Sequence, residues 1–464
     1  MMHDDADLID RVSRLVNNNK QLKELVEKLR SENESLKKKN HKVNGIDQNK
    51  LFTSGKTMGI KSEMVHRFNM ATVLYASIDG FQKLSREKDQ LPHVDTLDQV
   101  YIEFDSIVNE FKVLKIKTLG DAYMCAGGIP DKNIINPVQI VHLALRMADY
   151  LNTIKLHSKE KFIWDISIGV HTGPVVANIS GKKMKNVDIK GDTVNIASRI
   201  HNSAQPGEVL VSAMTYEAIK EFFLCEIAGN LPIKYKGDIG LYKVKSLKPQ
   251  FTDVPGSVFP NEYFYIQFKL IQFTDIQEII LDMLEHELPE NLYYHNVKHT
   301  VDVVTEVELI GWAENITPEE MLLLKTAALF HDAGHTISYQ DHEEQGCLLV
   351  RKFLPDYGYT EEQIARICEL IMATKMPPEP KNLLEQIICD ADLDYLGRSD
   401  FIPVSYNLYK EFHERSMIGS LNEWNKMQIK FITGHAYNTK TARALREINK
   451  QKQIERIKEL IKEV

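Results

Sequence analysis

The chain changes texture once, and that change constrains its architecture more than any other feature. From about residue 67 to 247, apolar strand-like segments alternate with helical patterns. ATVLYASI, KIKTLGDAYMCAGG, FIWDISIGVHTG and LYKVKSL read as strands, and PVQIVHLALRMADYLNTIK and DTVNIASRIHNSA as helices. After KPQFTDVPGSVFPNE, residues 262–464 carry helical patterns and no convincing strand. A mixed α/β or α+β domain at 67–247 followed by an all-helical domain at 262–464 accounts for this order. A length of 464 residues agrees with two or three domains.

A third element precedes these two. Leu8, Leu15, Leu22, Leu29 and Leu36 repeat every seven residues, with Val12, Asn19, Val26, Asn33 and Asn40 at the matching a positions. Leucine at d with Val and Asn at a predicts a parallel two-stranded coiled coil over 5–40 rather than a single solvated helix. A buried Asn fixes register by pairing with its counterpart, and Glu32 can reach Lys37 of the partner helix. Residues 41–66 lack periodicity and read as a linker. The net charge of −8 argues against general nucleic-acid binding. No apolar run approaches the length that crosses a bilayer, and the acidic N-terminus is not a signal peptide. Five cysteines (Cys125, Cys225, Cys347, Cys368 and Cys389) are scattered without CxxC spacing. The expectation is a cytoplasmic homodimer with no membrane or nucleic-acid partner.

Four ordered blocks carry the chemistry of the mixed domain: VLYASIDGFQKLS, KIKTLGDAYMCAGGIP, IGVHTGPVVA, and VDIKGDTVNIASRI followed by SAQPGEVLVS. Over about 180 residues this resembles the catalytic domain of class III adenylyl and guanylyl cyclases. The resemblance implies an α+β domain with a ferredoxin-like sheet core and active sites shared between two subunits, so a coiled coil serves as a clamp. It implies cyclisation of a nucleoside triphosphate with two divalent ions, magnesium or manganese, held by two aspartates. Asp121 matches the second of these. Lys117 and Asp188 match the pair that reads adenine, where a Lys donor meets N1 and an Asp acceptor meets N6; guanine reverses that pattern. Asn195 and Arg199, four apart and so on one helical face, match the pair that orients the ribose and stabilises phosphate charge. Lys236 aligns with a terminal-phosphate lysine. Taken singly, Asp188 reads as a turn residue, Lys117 as an exposed strand lysine and Arg199 as a surface arginine; together they favour a nucleotide site.

The chain departs from the family where an aspartate is expected. Ser77-Ile78-Asp79-Gly80-Phe81 stands where the pattern is aspartate-isoleucine-x-glycine-phenylalanine. Serine is a poor ligand for a hard cation. Asp79 lies two residues on and, in a strand, on the same face, so it is a candidate replacement; before Gly80 it also reads as an ordinary turn aspartate.

The helical half carries a metal-hydrolase pattern. YHNVKHTVDVV contains His295, His299 and Asp302, LFHDAGHT contains His331, Asp332 and His335, and CDADLDYLG contains Asp390, Asp392 and Asp394. This resembles the HD superfamily of metal-dependent phosphohydrolases. The match implies that His299, His331, Asp332 and Asp392 hold a metal, with Asp390 as the other candidate for the last ligand. Imidazole and carboxylate ligands suit zinc, manganese, magnesium or iron. His295, four residues before His299 and expected on the same helical face, corresponds to the general acid of cyclic-nucleotide phosphodiesterases. His335 and His342 are candidates for a second metal, with Glu343 and Glu344 orienting ligands. The tail FITGHAYNTKTARALREINKQ is closer to small bacterial HD phosphohydrolases, and the glutamine that reads purine in phosphodiesterases is not identified.

Three functions fit these residues. The protein both makes and degrades a cyclic nucleotide; or the HD domain is the enzyme and the cyclase-like domain binds ATP to regulate it; or both domains are binding modules on a coiled-coil scaffold. The complete HD pattern counts against the third, and Ser77 divides the first two. A cyclase partnered by an HD domain that hydrolyses a non-cyclic nucleotide is a further alternative.

Overall fold

The computed structural model describes residues 64–79, 91–119, 122–157, 164–180, 186–233 and 237–461. The coiled coil expected at 5–40 lies outside these residues, as does most of the stretch read as linker. The first strand begins at Met64, within that stretch. Gly59–Ile276 form one compact unit and Gln277–Val464 belong to another.

The first unit is built on an eight-stranded sheet: β1 (Met64–Asp79), β2 (Leu114–Leu119), β3 (Ala122–Gly127), β4 (Asp165–Ser180), β5 (Asn186–Lys190), β6 (Val209–Ser212), β7 (Phe223–Ile233) and β8 (Gly237–Leu247). The order is β2-β3-β1-β4-β6-β8-β7, with β5 pairing β4. Helix α1 (Leu91–Glu110) joins β1 to β2, and α2 (Asn136–His157) joins β3 to β4. The β1-α1-β2-β3-α2-β4 succession with an antiparallel β2-β3-β1-β4 order is the ferredoxin-like arrangement. Among the described strand pairs, β4 and β6 alone run parallel, so the sheet is mixed.

Strand alternation assigns the two faces of β1. Leu74, Ala76 and Ile78 pack with Val100 and Phe104 of α1 and Val141 and Ala144 of α2. Val73 and Tyr75 turn to the other face and pack with Val175, Ile189 and Ala197. Helix α3 (Asp192–Ser203) covers that second face through Thr193, Ile196, Ala197 and Ile200. It lies directly on β4 because Gly169 has no side chain: a Cβ there would sit 2.1 Å from His201 N and 2.5 Å from Ala197 O. A short helix α4 (Ala213–Ile219) follows β6.

A long helix α5 (Glu262–Glu287) leads into the second unit. The unit includes α6 (Val297–Ala313), α7 (Pro318–Phe330), α8 (His342–Phe353), α9 (Glu361–Ala373), α10 (Leu383–Asp392), α11 (Phe401–Glu414), α12 (Leu421–Gly434) and α13 (Ile448–Leu460), with short 3-10 turns between several of them and a π-helical turn (Arg443–Glu447) leading into α13. Capping boxes Thr317/Glu320, Thr360/Gln363 and Ser420/Glu423 start α7, α9 and α12. Val303, Val307, Leu324, Ala328, Ile367, Ile371 and Ile388 form part of its buried interior. Among the described residues, no helix is long and apolar enough to cross a membrane.

Candidate functional site

In the helical unit, three helix ends converge. His299 stands in the first turn of α6, His331 and Asp332 follow directly on α7, and Asp392 closes α10. The carbonyl ends of α7 and α10 carry partial negative charge, which favours a cation between them. His299 Nε2 and His331 Nε2 are 3.3 Å apart. His299 Nε2 lies 3.4 Å from Asp332 Oδ2 and 3.1 Å from Asp392 Oδ1. His331 Nε2 lies 3.2 Å and 3.6 Å from the same two oxygens. His331 Nδ1 donates to the Ala328 carbonyl at 2.8 Å, which turns Nε2 toward the cluster.

A second group adjoins the first. One ligand atom each from His295, Asp332 and His335 lie within 4.8 Å of one another. His342 stacks on His335 with ring centroids 3.9 Å apart, and its Nε2 is 3.6 Å from Asp332 Oδ1 and 3.4 Å from Glu343 Oε1. Asp332 Oδ2, both ring nitrogens of His335 and Glu343 Oε2 are buried without a hydrogen-bond partner. Unpaired buried polar atoms are costly, and a divalent cation among them removes that cost. The donor set, imidazole nitrogen with carboxylate oxygen, fits one or two such ions. The field has the matching sign. Burial opposes charge on His331, yet Asp332 and Asp392 hold its pKa well above the ordinary histidine value. Both carboxylates stay well below the usual range despite burial, chiefly through His331 for Asp332 and His299 for Asp392. Burial lowers His335 to about 3, so its nitrogens are neutral.

Three expectations are corrected. His295 is not on the helix with His299, because Asn296 caps α6 by accepting from Lys298 N and His299 N; His295 lies in the turn before it. Asp390 does not face the cluster. Its carboxylate accepts from Asn438 N and Nδ2 and from Thr439 N and Oγ1 at 2.7–3.1 Å, since residues two apart on α10 point to opposite sides. Glu344 pairs with Lys375 at 2.6 Å, whereas Glu343 stays beside His342.

One site residue was missed. Glu411, fully buried, accepts from His295 Nδ1 at 2.5 Å, from Tyr294 N at 3.0 Å and from Tyr339 Oη at 3.3 Å. It holds the His295 pKa above its ordinary value against the opposing effect of burial. The signal was present: Phe401, Ser405, Leu408 and Glu411 are the buried stripe of α11, and an acid in such a stripe needs a partner. Beside the cluster, Tyr294, His299, Tyr395 and Arg398 line a cavity of about 250 Å³.

In the sheet unit, Lys117 of β2 and Asp188 of β5 come together from distant parts of the chain, Nζ to Oδ1 at 3.9 Å. Lys190 Nζ is 3.8 Å from the other Asp188 oxygen. Asn195 and Arg199 are exposed, on the side of α3 away from its buried face. Ser77 Oγ lies 2.7 Å from His201 Nε2, and His201 Nδ1 is 3.1 Å from Asn202 Oδ1. The backbone of Asp79 pairs with Asp165 at the end of β1. The Asp79 side chain, Asp121 and Lys236 lie outside the described residues.

Comparison with known proteins follows this division. The family model described as Adenylate and Guanylate cyclase catalytic domain matches residues 63–246, and that described as HD domain matches residues 296–394. Atrial natriuretic peptide receptor 2 of Rattus norvegicus is 35% identical over 178 residues, covering 38% of this chain and 17% of the receptor. Guanylyl cyclase C of Homo sapiens is 34% identical over 193 residues, covering 40% of this chain and 18% of that protein. The chain thus spans less than a fifth of the length of these relatives. The guanylate cyclase domain of RhGC from Catenaria anguillulae, solved in complex with GTP, is 30% identical, covering 39% of this chain and all of that one, with a TM-score of 0.36. One chain therefore carries both a class III adenylate or guanylate cyclase catalytic domain, at 63–246, and an HD domain, at 296–394.

Proposed function

We propose that the helical domain is a metal-dependent phosphohydrolase acting on a nucleotide phosphoester, cyclic AMP or another cyclic nucleotide, and that the sheet domain binds ATP. The observation that carries this reading is the approach of His299 Nε2 and His331 Nε2 to within 3.6 Å of both Asp332 Oδ2 and Asp392 Oδ1. A divalent ion there, zinc, manganese, magnesium or iron, supplies Lewis-acid polarisation and lowers the pKa of water. The chain's own residues do the rest. The Ala328 carbonyl fixes the His331 tautomer. Glu411, as a carboxylate, accepts the Nδ1–H hydrogen bond of His295, which aims the other nitrogen outward to protonate a leaving oxygen.

In the sheet domain, the meeting of Lys117 with Asp188 supports adenine as the base read. The exposure of Asn195 and Arg199 supports a nucleotide held between two chains, with magnesium or manganese, in a homodimer clamped by the N-terminal helix. In this reading the protein works in the cytoplasm. A second reading is favoured by the engagement of Ser77 with His201: cyclisation is impaired, and the domain senses ATP to regulate the hydrolase.

The test incubates the full chain with manganese and either cyclic AMP or ATP, as wild type, His331→Ala/Asp332→Ala and Asp121→Ala. Hydrolysis of cyclic AMP by wild type and not by the double variant supports the hydrolase. Survival of every cyclic nucleotide offered, with metal supplied, sinks it. Cyclic AMP accumulating from ATP in the double variant, and lost when Asp121→Ala is added, establishes the cyclase against the sensor.

A further inference from the structure

Helices α8 and α9 cross at two cysteines. Cys347 Sγ lies 3.6 Å from the Cys368 carbonyl, and Cys368 Sγ lies 3.8 Å from the Cys347 carbonyl, so each thiol sits over the other residue's backbone. Two cysteines on neighbouring helices whose sulfurs each reach the other's backbone are candidates for a disulfide, which needs a Cα separation of roughly 4.4–6.8 Å. Both are largely buried, yet both line a cavity of about 1080 Å³ that also presents Arg351, Arg366 and Lys375. A small oxidant has a route to the sulfurs, and cations flank it.

We propose that Cys347 and Cys368 form an oxidisable thiol pair that hydroperoxides convert to a reversible disulfide. Cys368 attacks as its thiolate, with Arg351 of the same cavity wall favouring the charged sulfur. Sulfur attacks one peroxide oxygen, the O–O bond breaks and an alcohol or water leaves, giving a sulfenic acid at Cys368. Cys347 sulfur then attacks Cys368 sulfur, the S–O bond breaks, and water leaves with the Cys347 proton. Two thiols lose two electrons, and one hydroperoxide is reduced to an alcohol and water.

The bridge bears on the metal-ligand cluster through α8. Gly346, the residue before Cys347, packs on the end of α7: a Cβ there would lie 2.8 Å from Phe330 O. With so little clearance at Gly346, a small shift of α8 toward α9 on bridging would reach the ligand turn beside it.

The experiment treats the metal-loaded full chain with hydrogen peroxide, then alkylates free thiols and maps peptides without reduction. Wild type should yield a peptide linking Cys347 to Cys368, an intact mass lower by about 2 Da, and recovery with dithiothreitol. Cys389, whose thiol points at the Ala373 carbonyl at 3.1 Å, should remain alkylatable. In Cys347→Ser, Cys368 should stop at a sulfenic acid trapped by dimedone, which reports the step even if the second variant, Cys368→Ser, folds poorly. Full alkylation of both cysteines after peroxide overturns the proposal, as does a bridge to Cys389 instead. Release of metal to a chromogenic chelator should accelerate several-fold in oxidised wild type and not in oxidised Cys347→Ser; equal rates overturn the link to the cluster.

Discussion

Ser77 Oγ sits 2.7 Å from His201 Nε2, across the gap between β1 and the last turn of α3. The contact depends on Gly169, which lets α3 rest on β4, and on the alternation that turns Ser77 away from the α1 and α2 layer. A neutral hydroxyl beside an imidazole stands where the class III cyclase pattern implies a metal-binding carboxylate.

Replacing Ser77 by Asp restores that carboxylate. Formation of cyclic AMP from ATP and manganese, measured in the His331→Ala/Asp332→Ala background, should rise by roughly two orders of magnitude or more. If Asp79→Ala abolishes a substantial wild-type activity instead, the natural site is rebuilt around Asp79.

Asp390 and Asp392 should separate cleanly. Asp392→Asn should lose metal, seen as a fall in bound metal per chain after dialysis, with little change in fold. Asp390→Asn should keep metal and lose about 2–4 kcal/mol of stability in urea unfolding, because four donors from Asn438 and Thr439 lose their charged acceptor.

Glu411 acts through His295. Glu411→Gln should lower kcat about 10²-fold with a much smaller change in KM and no loss of bound metal. His295→Asn should give a similar loss, and the double variant should be little worse than either. Additive losses would disconnect the two residues.

His142 makes the sheet domain acid-sensitive. Its ring is buried between Phe111 and Phe264, donates to the Val258 carbonyl, and burial lowers its pKa to about 4. The unfolded chain binds that proton near the ordinary histidine value, so between there and about pH 4 it binds more protons than the fold. Stability is complete above about pH 6.5, falls as pH drops through that window, and levels off below it, a loss of up to about 3 kcal/mol. Amide exchange of α2 peptides at pH 7, 5.5 and 4 measures it. His142→Gln should flatten the dependence.

Structure is most legible in this sequence where physical periodicity is local. The helical half was legible from its period, and the HD cluster from motifs whose residues sit at helix ends. β5, β6 and β7 were not identified. β7 has a mostly exposed edge with no clean alternation of apolar and polar residues, so no periodic signal marks it. Gly334 was one letter in HDAGH. The structure shows why it cannot be larger: a Cβ would lie 1.9 Å from the His342 carbonyl, at the contact that brings α8 to the cluster.

By itself the sequence determined that a cyclase-type domain precedes an HD domain, the mixed and helical textures, and most residues of the His–Asp cluster, because these follow from spacing along one chain. Only the tertiary structure decided which of Asp390 and Asp392 faces that cluster, that His295 stands before the helix and leans on Glu411, and that Ser77 is held by His201. Each is a contact across a large sequence separation, 116 residues for His295 with Glu411 and 124 for Ser77 with His201. Spacing carries no information about such pairs; they form where burial requires a polar group to find a partner and the fold brings one within reach.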